Sequence, residues 1–331
     1  TKDVGRVIRL INEFVQPFVM WQAFRKTRYA RVKWDALIWH SPSIFFGPLV
    51  RRIRRRSLGK SYLIVRDIFP QWAVDLDLLR PGPVLGLLRY FEKYQYELAD
   101  TVGVQSSANL RYFQSWKEKQ GRRVEVLQNW IAGSQGEGCS IQVNRTGLAG
   151  RKILVYAGNM GVAQNLDILL SVAQKLCERR DIGFLFVGRG SELSRLKSLA
   201  QDMNLDNILF CGEIPAQEIP GLYRQCVGGL VMLDPRHSTQ NIPGKFLSAM
   251  RYGLPVVARV NSGNDLVDII NRHAVGQVTT DDSADVLSSM CLDVVDVLAQ
   301  DDQIAARCTR LASRMFSPQR AVRQIVSSLE C

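Results

Sequence analysis

The sequence of 331 residues is poor in the side chains that build metal centres, with three histidines and no Cys-x-x-Cys pair. A zinc site is therefore improbable. The seven cysteines are scattered and stand mostly among apolar residues, which predicts reduced thiols in the core of a cytoplasmic protein. No apolar run reaches the roughly 20 residues that a transmembrane helix needs, so we expect no membrane span.

Acidic residues are scarce in the first part of the chain. Residues 1–130 carry 23 Lys+Arg and 11 Asp+Glu; subtracting these from the totals of 43 and 31 leaves 20 of each in residues 131–331. The net charge of +12 therefore belongs to the first part alone. This asymmetry predicts an anionic partner for that part, and nucleic acid, an anionic membrane surface or a phosphorylated acceptor would each fit.

Short apolar strands alternate with amphipathic helices along the chain, which predicts an α/β fold whose parallel sheets are covered on both faces. Strands are expected at 36–39, 62–65 and 101–107, and a complete second series starts at residue 151. The Gly/Ser-rich stretch between the two series is typical of a linker. We predict two doubly wound, Rossmann-like domains facing a cleft, with a first domain at 1–131, a linker at 132–150, a second domain at 151–316 and a final helix at 317–331.

The start of the chain has an unusual pattern. Residues 4–24 show helical spacing of apolar residues, with an expected kink or break at Pro17. This helix either packs against its domain or lies on a membrane interface. A doubly wound domain normally opens with a strand and a glycine-rich turn, and neither precedes residue 24. The first domain is therefore expected to lack its opening elements.

Candidate ligand-binding residues follow from the rule that open α/β sheets bind ligands at the carboxyl ends of their strands. Gly158 and Gly161 allow a ligand to approach the backbone closely. Pro243 and Gly244 open a helix whose unpaired N–H groups attract phosphate, and Lys245 adds a positive charge. Their coincidence predicts a site for a nucleotide diphosphate. The same strand ends add further candidates: Asn159, Gly188, Arg189 and Asp234.

The first half offers fewer candidates. His40, Arg66 and Asp67 stand at predicted strand ends and would face the cleft between the domains. Residues 75–77 match the pattern Asp-x-Asp, whose two nearby carboxylates can hold a metal ion. They do not follow a strand, so we interpret them as structural.

The motifs together resemble a known family. The second half resembles the donor-binding domain of glycosyltransferase family 4 in the runs YAGNMGVAQNLDILL, FLFVGRG, FCGEIPAQEIPGLY and NIPGKFLSAMRYGLPVVA. The first half resembles a branch that transfers amino-deoxy sugars of the N-acetyl-fucosamine type in O-antigen and capsule assembly, in the runs WHSPSIFFGP, RDIFPQWAVDLDLL and VLQNW.

The resemblance implies a GT-B fold with an acceptor-binding domain at 1–131, a nucleotide-sugar donor-binding domain at 151–316 and a final helix that crosses back to the first domain. It also implies transfer with retention at the anomeric carbon, and no metal or other cofactor. It implies that the donor diphosphate is held at 158–161 and 243–245, and that His40 contacts the reacting sugar. Arg66 and Asp67 would shape the acceptor side. The donor would be a UDP-sugar, and the acceptor a lipid-linked saccharide on the inner face of the cytoplasmic membrane. A peripheral position on that anionic surface would account for the basic first half.

The sequence departs from the family pattern at four positions. Gln240 and Ser248 stand where many members have two glutamates, and Asn159 and Gln164 replace the usual Arg and Lys after the first glycine turn. Our hypothesis is that Lys245 and Arg189 supply the lost charge.

Three alternatives remain open: a nucleotide-sugar epimerase of the same layout, a sugar-nucleotide-binding module without catalysis, and a nucleic-acid-binding protein. The last needs aromatic residues among the basic ones, and RRIRRR has none, so no nucleic-acid partner is expected.

Overall fold

The computed structural model describes residues 6–41, 43–118, 121–133, 136 and 138–330. The chain forms two compact units. Unit 1 runs to Gln128 and takes up the chain again at Ala321, and unit 2 comprises Asn129–Arg320.

Unit 1 contains a parallel sheet of four strands in the order β1-β2-β3-β4. Every residue of β2 is buried, which explains its continuous apolar sequence. The strands are β1 (Leu37–His40), β2 (Ser61–Val65), β3 (Thr101–Val104) and β4 (Arg123–Val126), and the helices are α1 (Arg6–Arg25), α2 (Gly47–Arg54), α3 (Gln71–Asp75), α4 (Pro83–Tyr96) and α5 (Gln114–Lys117).

Helix α1 corrects one expectation, because it continues through Pro17 without a break. A proline inside a helix removes one backbone hydrogen bond and crowds the preceding turn. Pro17 is buried, however, and burial of its ring offsets part of that cost. The opposite face of α1 leaves large apolar side chains exposed, among them Ile11 and Val19.

Unit 2 contains a parallel sheet of six strands in the order β10-β9-β8-β5-β6-β7. Two apolar cores cover its faces: Val155 of β5 belongs to one and Tyr156 to the other. The strands are β5 (Lys152–Ala157), β6 (Ile182–Val187), β7 (Ile208–Cys211), β8 (Gly228–Met232), β9 (Val256–Arg259) and β10 (Gly276–Thr279), and the helices are α6 (Asp167–Lys175), α7 (Leu193–Asp202), α8 (Ile219–Tyr223), α9 (Gly244–Arg251), α10 (Asp265–His273), α11 (Ala284–Asp296) and α12 (Ile304–Met315).

The stretch read as a linker is partly built into unit 2, since Val143 and Leu148 are buried in one of its cores. The last helix, α13 (Pro318–Glu330), packs against β4 of unit 1 in its second half. Gln324 donates hydrogen bonds to Glu125 at 3.0 Å and to the carbonyl of Val126 at 2.9 Å. Ser328 bonds to the same carboxylate at 2.9 Å.

Within the described residues, no helix combines the length and the apolar character needed to span a bilayer.

Candidate functional site

The site in unit 2 lies where the order of the sheet reverses. Strand β5 pairs with β6 on one side and with β8 on the other, so the loops that leave β5 and β8 run in opposite directions from neighbouring strand ends. Such a switch point leaves a crevice at the carboxyl edge of the sheet. The candidates at 158–161, 188–189, 234 and 243–245 all come to this edge.

Two glycine turns pack directly on each other at this edge. The N–H of Gly158 donates to the carbonyl of Val187 at 2.8 Å, and the N–H of Met160 donates to that of Arg189 at 2.8 Å. Gly188 has φ +142°, and a methyl group there would lie 2.1 Å from the carbonyl oxygen of Gly158. Glycine is thus required at 188 by the neighbouring turn rather than by a ligand.

Lys245 is folded back against the first glycine turn. Its ammonium nitrogen lies 4.8 Å from the centroid of the Tyr156 ring. Gly158 has φ +140°, and a side chain there would come within 2.8 Å of Cε of Lys245. Burial lowers the pKa of Lys245 to about 8. The lysine is therefore still charged at neutral pH, and its ammonium group sits in a setting that favours a bound anion.

The start of α9 completes this cluster. Pro243 precedes the helix in an extended conformation and has no side-chain cap. A methyl group added at Gly244 would meet no described atom within 4 Å, so space is open beside the first turn. The N–H groups of this open turn can donate hydrogen bonds to a phosphate oxygen.

Neutral side chains line the loop after Gly161. The side-chain oxygen of Gln164 accepts hydrogen bonds from the N–H of Gly161 at 3.0 Å and from Asn159 at 3.2 Å. The Tyr156 hydroxyl donates to the carbonyl of Asn159 at 2.6 Å. Asn159 and Gln164 thus hold the shape of the turn.

Two charged candidates already have ion-pair partners. Asp234 is buried and binds Arg236, with the closest contact at 2.7 Å. Burial favours the protonated form of Asp234, but the hydrogen bonds from Arg236 outweigh it and lower its pKa. Arg189 pairs with Glu213 at 3.0 Å, and both side chains are about half exposed.

The two positions at which the family resemblance implies glutamates, Gln240 and Ser248, both make hydrogen bonds within unit 2. Gln240 is buried and donates to the carbonyl of Ser262 at 2.9 Å. Ser248 shares a hydrogen bond with the Tyr223 hydroxyl, whose pKa burial raises to about 12.

Three polar residues at the end of β9 and in the loop that follows it escaped the sequence analysis. Asn261 and Asn264 are buried and bond to carbonyls of the loop before α9, namely those of His237 at 2.7 Å, Thr239 at 3.1 Å and Asn241 at 3.3 Å. Arg259 is buried at the end of β9. The available signal was the polar pattern Arg-x-Asn that begins at the last residue of an otherwise apolar strand.

A second group of candidates lies in unit 1. His40 ends β1, and Arg66 and Asp67 follow β2. His40 reaches the surface, yet the protein around its ring lowers its pKa, and the positive charge of Arg66 lowers it further. Burial lowers the pKa of Arg66 to about 10, against the opposing effect of Asp67. Gln105, which the sequence analysis missed, donates to the carbonyl of Arg66 at 2.8 Å.

The Asp-x-Asp pattern lies at the end of helix α3. Asp75 accepts a hydrogen bond from Gln71 at 2.8 Å, and Asp77 follows in a left-handed turn at φ 56°. The pattern is therefore part of a helix terminus rather than of a strand end.

Comparisons with known proteins agree with this geometry. Residues 151–295 match the family described as "Glycosyl transferases group 1". The chain is 24% identical over 228 residues to "Probable glycosyltransferase WbjE" of Pseudomonas aeruginosa. The aligned region covers 67% of this chain and 56% of that protein. The chain thus matches little more than half the length of this relative.

Solved structures share the fold. A sucrose-phosphate synthase from Thermosynechococcus elongatus superposes with a TM-score of 0.74 at 15% identity, over 98% of this chain and 79% of that one. Anabaena HepE, solved in complex with UDP-glucose, superposes with a TM-score of 0.67 at 15% identity, over 99% of this chain and 96% of that one. These neighbours confirm the predicted α/β, GT-B fold with two Rossmann-like domains. The relatives confirm the resemblance at the level of glycosyltransferases, and the amino-deoxy-sugar branch stays a prediction.

Proposed function

We propose that this chain is the catalytic part of a glycosyltransferase that moves a sugar from a UDP-sugar to an acceptor in polysaccharide synthesis. The main support is the meeting of Lys245, the Gly158 turn and the open start of α9 at the switch point of unit 2. A charged lysine, a close-approach glycine and unpaired N–H groups together suit a diphosphate. HepE, of the same fold, was solved with UDP-glucose.

The proposed reaction proceeds with retention and without a metal. Backbone amides near Gly158 and Gly244, together with Lys245, stabilise the negative charge that develops on the leaving diphosphate. The acceptor hydroxyl then attacks the oxocarbenium-like sugar from the face that the diphosphate leaves, and the leaving phosphate oxygen takes the proton. His40 orients the sugar, and Arg66 and Asp67 shape the acceptor side.

The proposed donor is an N-acetylated amino sugar and the proposed acceptor a lipid-linked saccharide of O-antigen or capsule synthesis. Calorimetry of the purified chain with UDP, GDP and UDP-N-acetylhexosamines, with and without magnesium, tests the donor half of the proposal. We expect micromolar binding of UDP that does not depend on magnesium. If a folded chain binds none of these nucleotides, the transferase proposal fails for this chain.

The proposed location is the inner face of the cytoplasmic membrane. Two features of unit 1 support it: the exposed apolar face of α1, and the arginines of α2 and the turn that follows it. Arg52 lies 5.8 Å from the ring of Trp21 and thereby joins the two helices. Apolar burial and attraction to anionic lipid would act together. Co-sedimentation with anionic but not with neutral vesicles, weakened by salt, is the expected result, and equal binding to both would argue against it.

The alternatives predict different outcomes. An epimerase would interconvert UDP-sugars without an acceptor, and a module without catalysis would bind UDP but show no transfer. A nucleic-acid-binding protein would bind DNA with strong salt dependence and need no UDP.

A further inference from the structure

Arg259 is a buried cation at the carboxyl edge of the sheet in unit 2. It is the last residue of β9, and its side chain has no exposed surface. Its main chain lies in register with Met232 of β8 and Thr279 of β10, so its position is fixed on both sides by the sheet. Burying a guanidinium is costly unless its donors are used.

The donors of Arg259 bind a loop 95 residues earlier in the chain. One terminal nitrogen donates to the carbonyl of Asn165 at 3.0 Å and to that of Gln164 at 3.3 Å, and the other pairs with Asp282. Asn165 is in the left-handed conformation at φ 44°, which asparagine tolerates better than most residues other than glycine. The bonds from Arg259 therefore hold the carbonyls of Gln164 and Asn165 in this turn.

That loop connects Arg259 to the proposed diphosphate site. The main-chain carbonyl of Gln164 accepts a hydrogen bond from Arg259. The side-chain oxygen of Gln164 accepts hydrogen bonds from Gly161 and Asn159. The carbonyl of Asn159 in turn accepts the Tyr156 hydroxyl at 2.6 Å. The Tyr156 ring lies under the Lys245 ammonium group. An unbroken path of contacts thus runs from Arg259 to Lys245.

We propose that Arg259 is a positioning residue for the donor, which sets the 161–165 loop through Gln164 and so shapes the glycine turn that receives the nucleoside diphosphate. This inference rests on the proposed function. Asn159 and Gln164 have no charge with which to attract a phosphate. The affinity for the diphosphate therefore depends more on how well the backbone of the turn fits it. A loosened loop would therefore weaken donor binding directly.

The test measures the UDP affinity of the purified chain by calorimetry for the wild type, Arg259→Lys, Gln164→Ala and the double variant. Lysine keeps the charge but cannot bridge two carbonyls and a carboxylate in one plane. We expect Arg259→Lys to weaken UDP binding about tenfold, which corresponds to the loss of one good hydrogen bond. The matched control is Arg272→Lys, at an exposed arginine that pairs with Asp268, and it should stay within about twofold of the wild type.

A double-mutant cycle of Arg259 and Gln164 distinguishes the proposed positioning role of Arg259 from a purely structural one. If Arg259 acts through Gln164, the double variant should bind UDP about as weakly as the worse single variant, whereas independent effects would multiply. The inference would be overturned if Arg259→Lys bound UDP with an affinity within about twofold of the wild type. It would also be overturned if the losses of affinity of the two single variants multiplied in the double variant. Should Arg259→Lys fail to fold, Gln164→Ala decides by itself: a loss of about fivefold supports the path, and unchanged affinity refutes it. A wild type that binds no UDP would instead defeat the proposed function.

Discussion

The ammonium nitrogen of Lys245 lies 4.8 Å from the centre of the Tyr156 ring, and its half-buried side chain packs beside Gly158. The aromatic face attracts the cation, while burial makes its charge costly and lowers its pKa to about 8. A bound diphosphate would relieve that cost, because it supplies the missing negative charge. The pH dependence of nucleotide binding should therefore report on this lysine.

We predict that UDP affinity falls about tenfold as the pH rises from about 7 to about 9.5, because Lys245 loses its proton in this window. Lys245→Arg should remove that dependence, since arginine stays charged. Lys245→Ala should bind weakly at every pH. Calorimetry across the pH range is the measurement, and Lys197→Ala, at an exposed lysine on α7, is the control. An identical pH profile in Lys245→Arg would assign the dependence to another group.

The packing of the two glycine turns predicts a cost in stability. Gly188→Ala would place a methyl group 2.1 Å from the carbonyl oxygen of Gly158, in a backbone conformation that alanine avoids. We expect unit 2 to lose about 2–4 kcal/mol of unfolding free energy. The matched control is Gly150→Ala, which also has positive φ (+77°) but no described atom within 4 Å of the added methyl group. It should lose only about 1 kcal/mol. Urea unfolding of both variants is the measurement, and equal losses would show that the contact between the turns is unimportant.

Glu92 predicts a pH dependence of the stability of unit 1. Burial raises its pKa to about 7, against the opposing hydrogen bond from Tyr96 at 3.1 Å. A carboxyl with a raised pKa in the folded state stabilises that state below its unfolded pKa of 4.5, and this stabilisation is lost as the pH rises through about 7.

Glu92→Gln should therefore be more stable than the wild type at pH 8, by up to about 3 kcal/mol, and should lose the dependence between about pH 4.5 and 7. Urea unfolding at several pH values measures this difference. Glu118→Gln, at an exposed glutamate of the same unit, is the control. A wild-type stability that is flat over this window would contradict the prediction.

His40 predicts a change in turnover rather than in donor affinity. Burial and Arg66 lower its pKa, so the ring is neutral at pH 7 and can act as a hydrogen-bond partner of the sugar. His40→Ala should reduce kcat of the proposed transfer reaction about 100-fold. The affinity for UDP should stay unchanged, because the proposed diphosphate contacts lie in unit 2. A transfer assay paired with UDP calorimetry separates the two effects, with His273→Ala on α10 as the control. A loss of UDP affinity with kcat intact would assign His40 to donor binding instead.

Much of the fold could be read from the sequence because hydrophobic periodicity is a local signal. The strand predicted at 62–65 is found as β2 (Ser61–Val65), and the start of α9 follows Pro243 as its proline and glycine indicate. Pro17 misled the prediction because burial by tertiary contacts outweighed a local preference.

Pairings between distant residues had no comparable signal. Nothing near Asn261 in the sequence indicates that its side chain holds the carbonyls of His237 and Thr239. Asp234 and Arg236 are only two positions apart, yet the pattern does not indicate their ion pair, since a strand-end carboxylate is equally compatible with a ligand.

The sequence by itself determined the alternation of strands and helices, the glycines at the strand ends and the helix start at Pro243, because each depends on neighbouring residues. Only the tertiary structure decided what these parts do to one another. It set Gly188 against the carbonyl of Gly158, buried Lys245 against Tyr156, and brought Arg259 to a loop 95 residues away. Those relationships depend on the order of strands in the sheet, which places distant segments side by side at one edge.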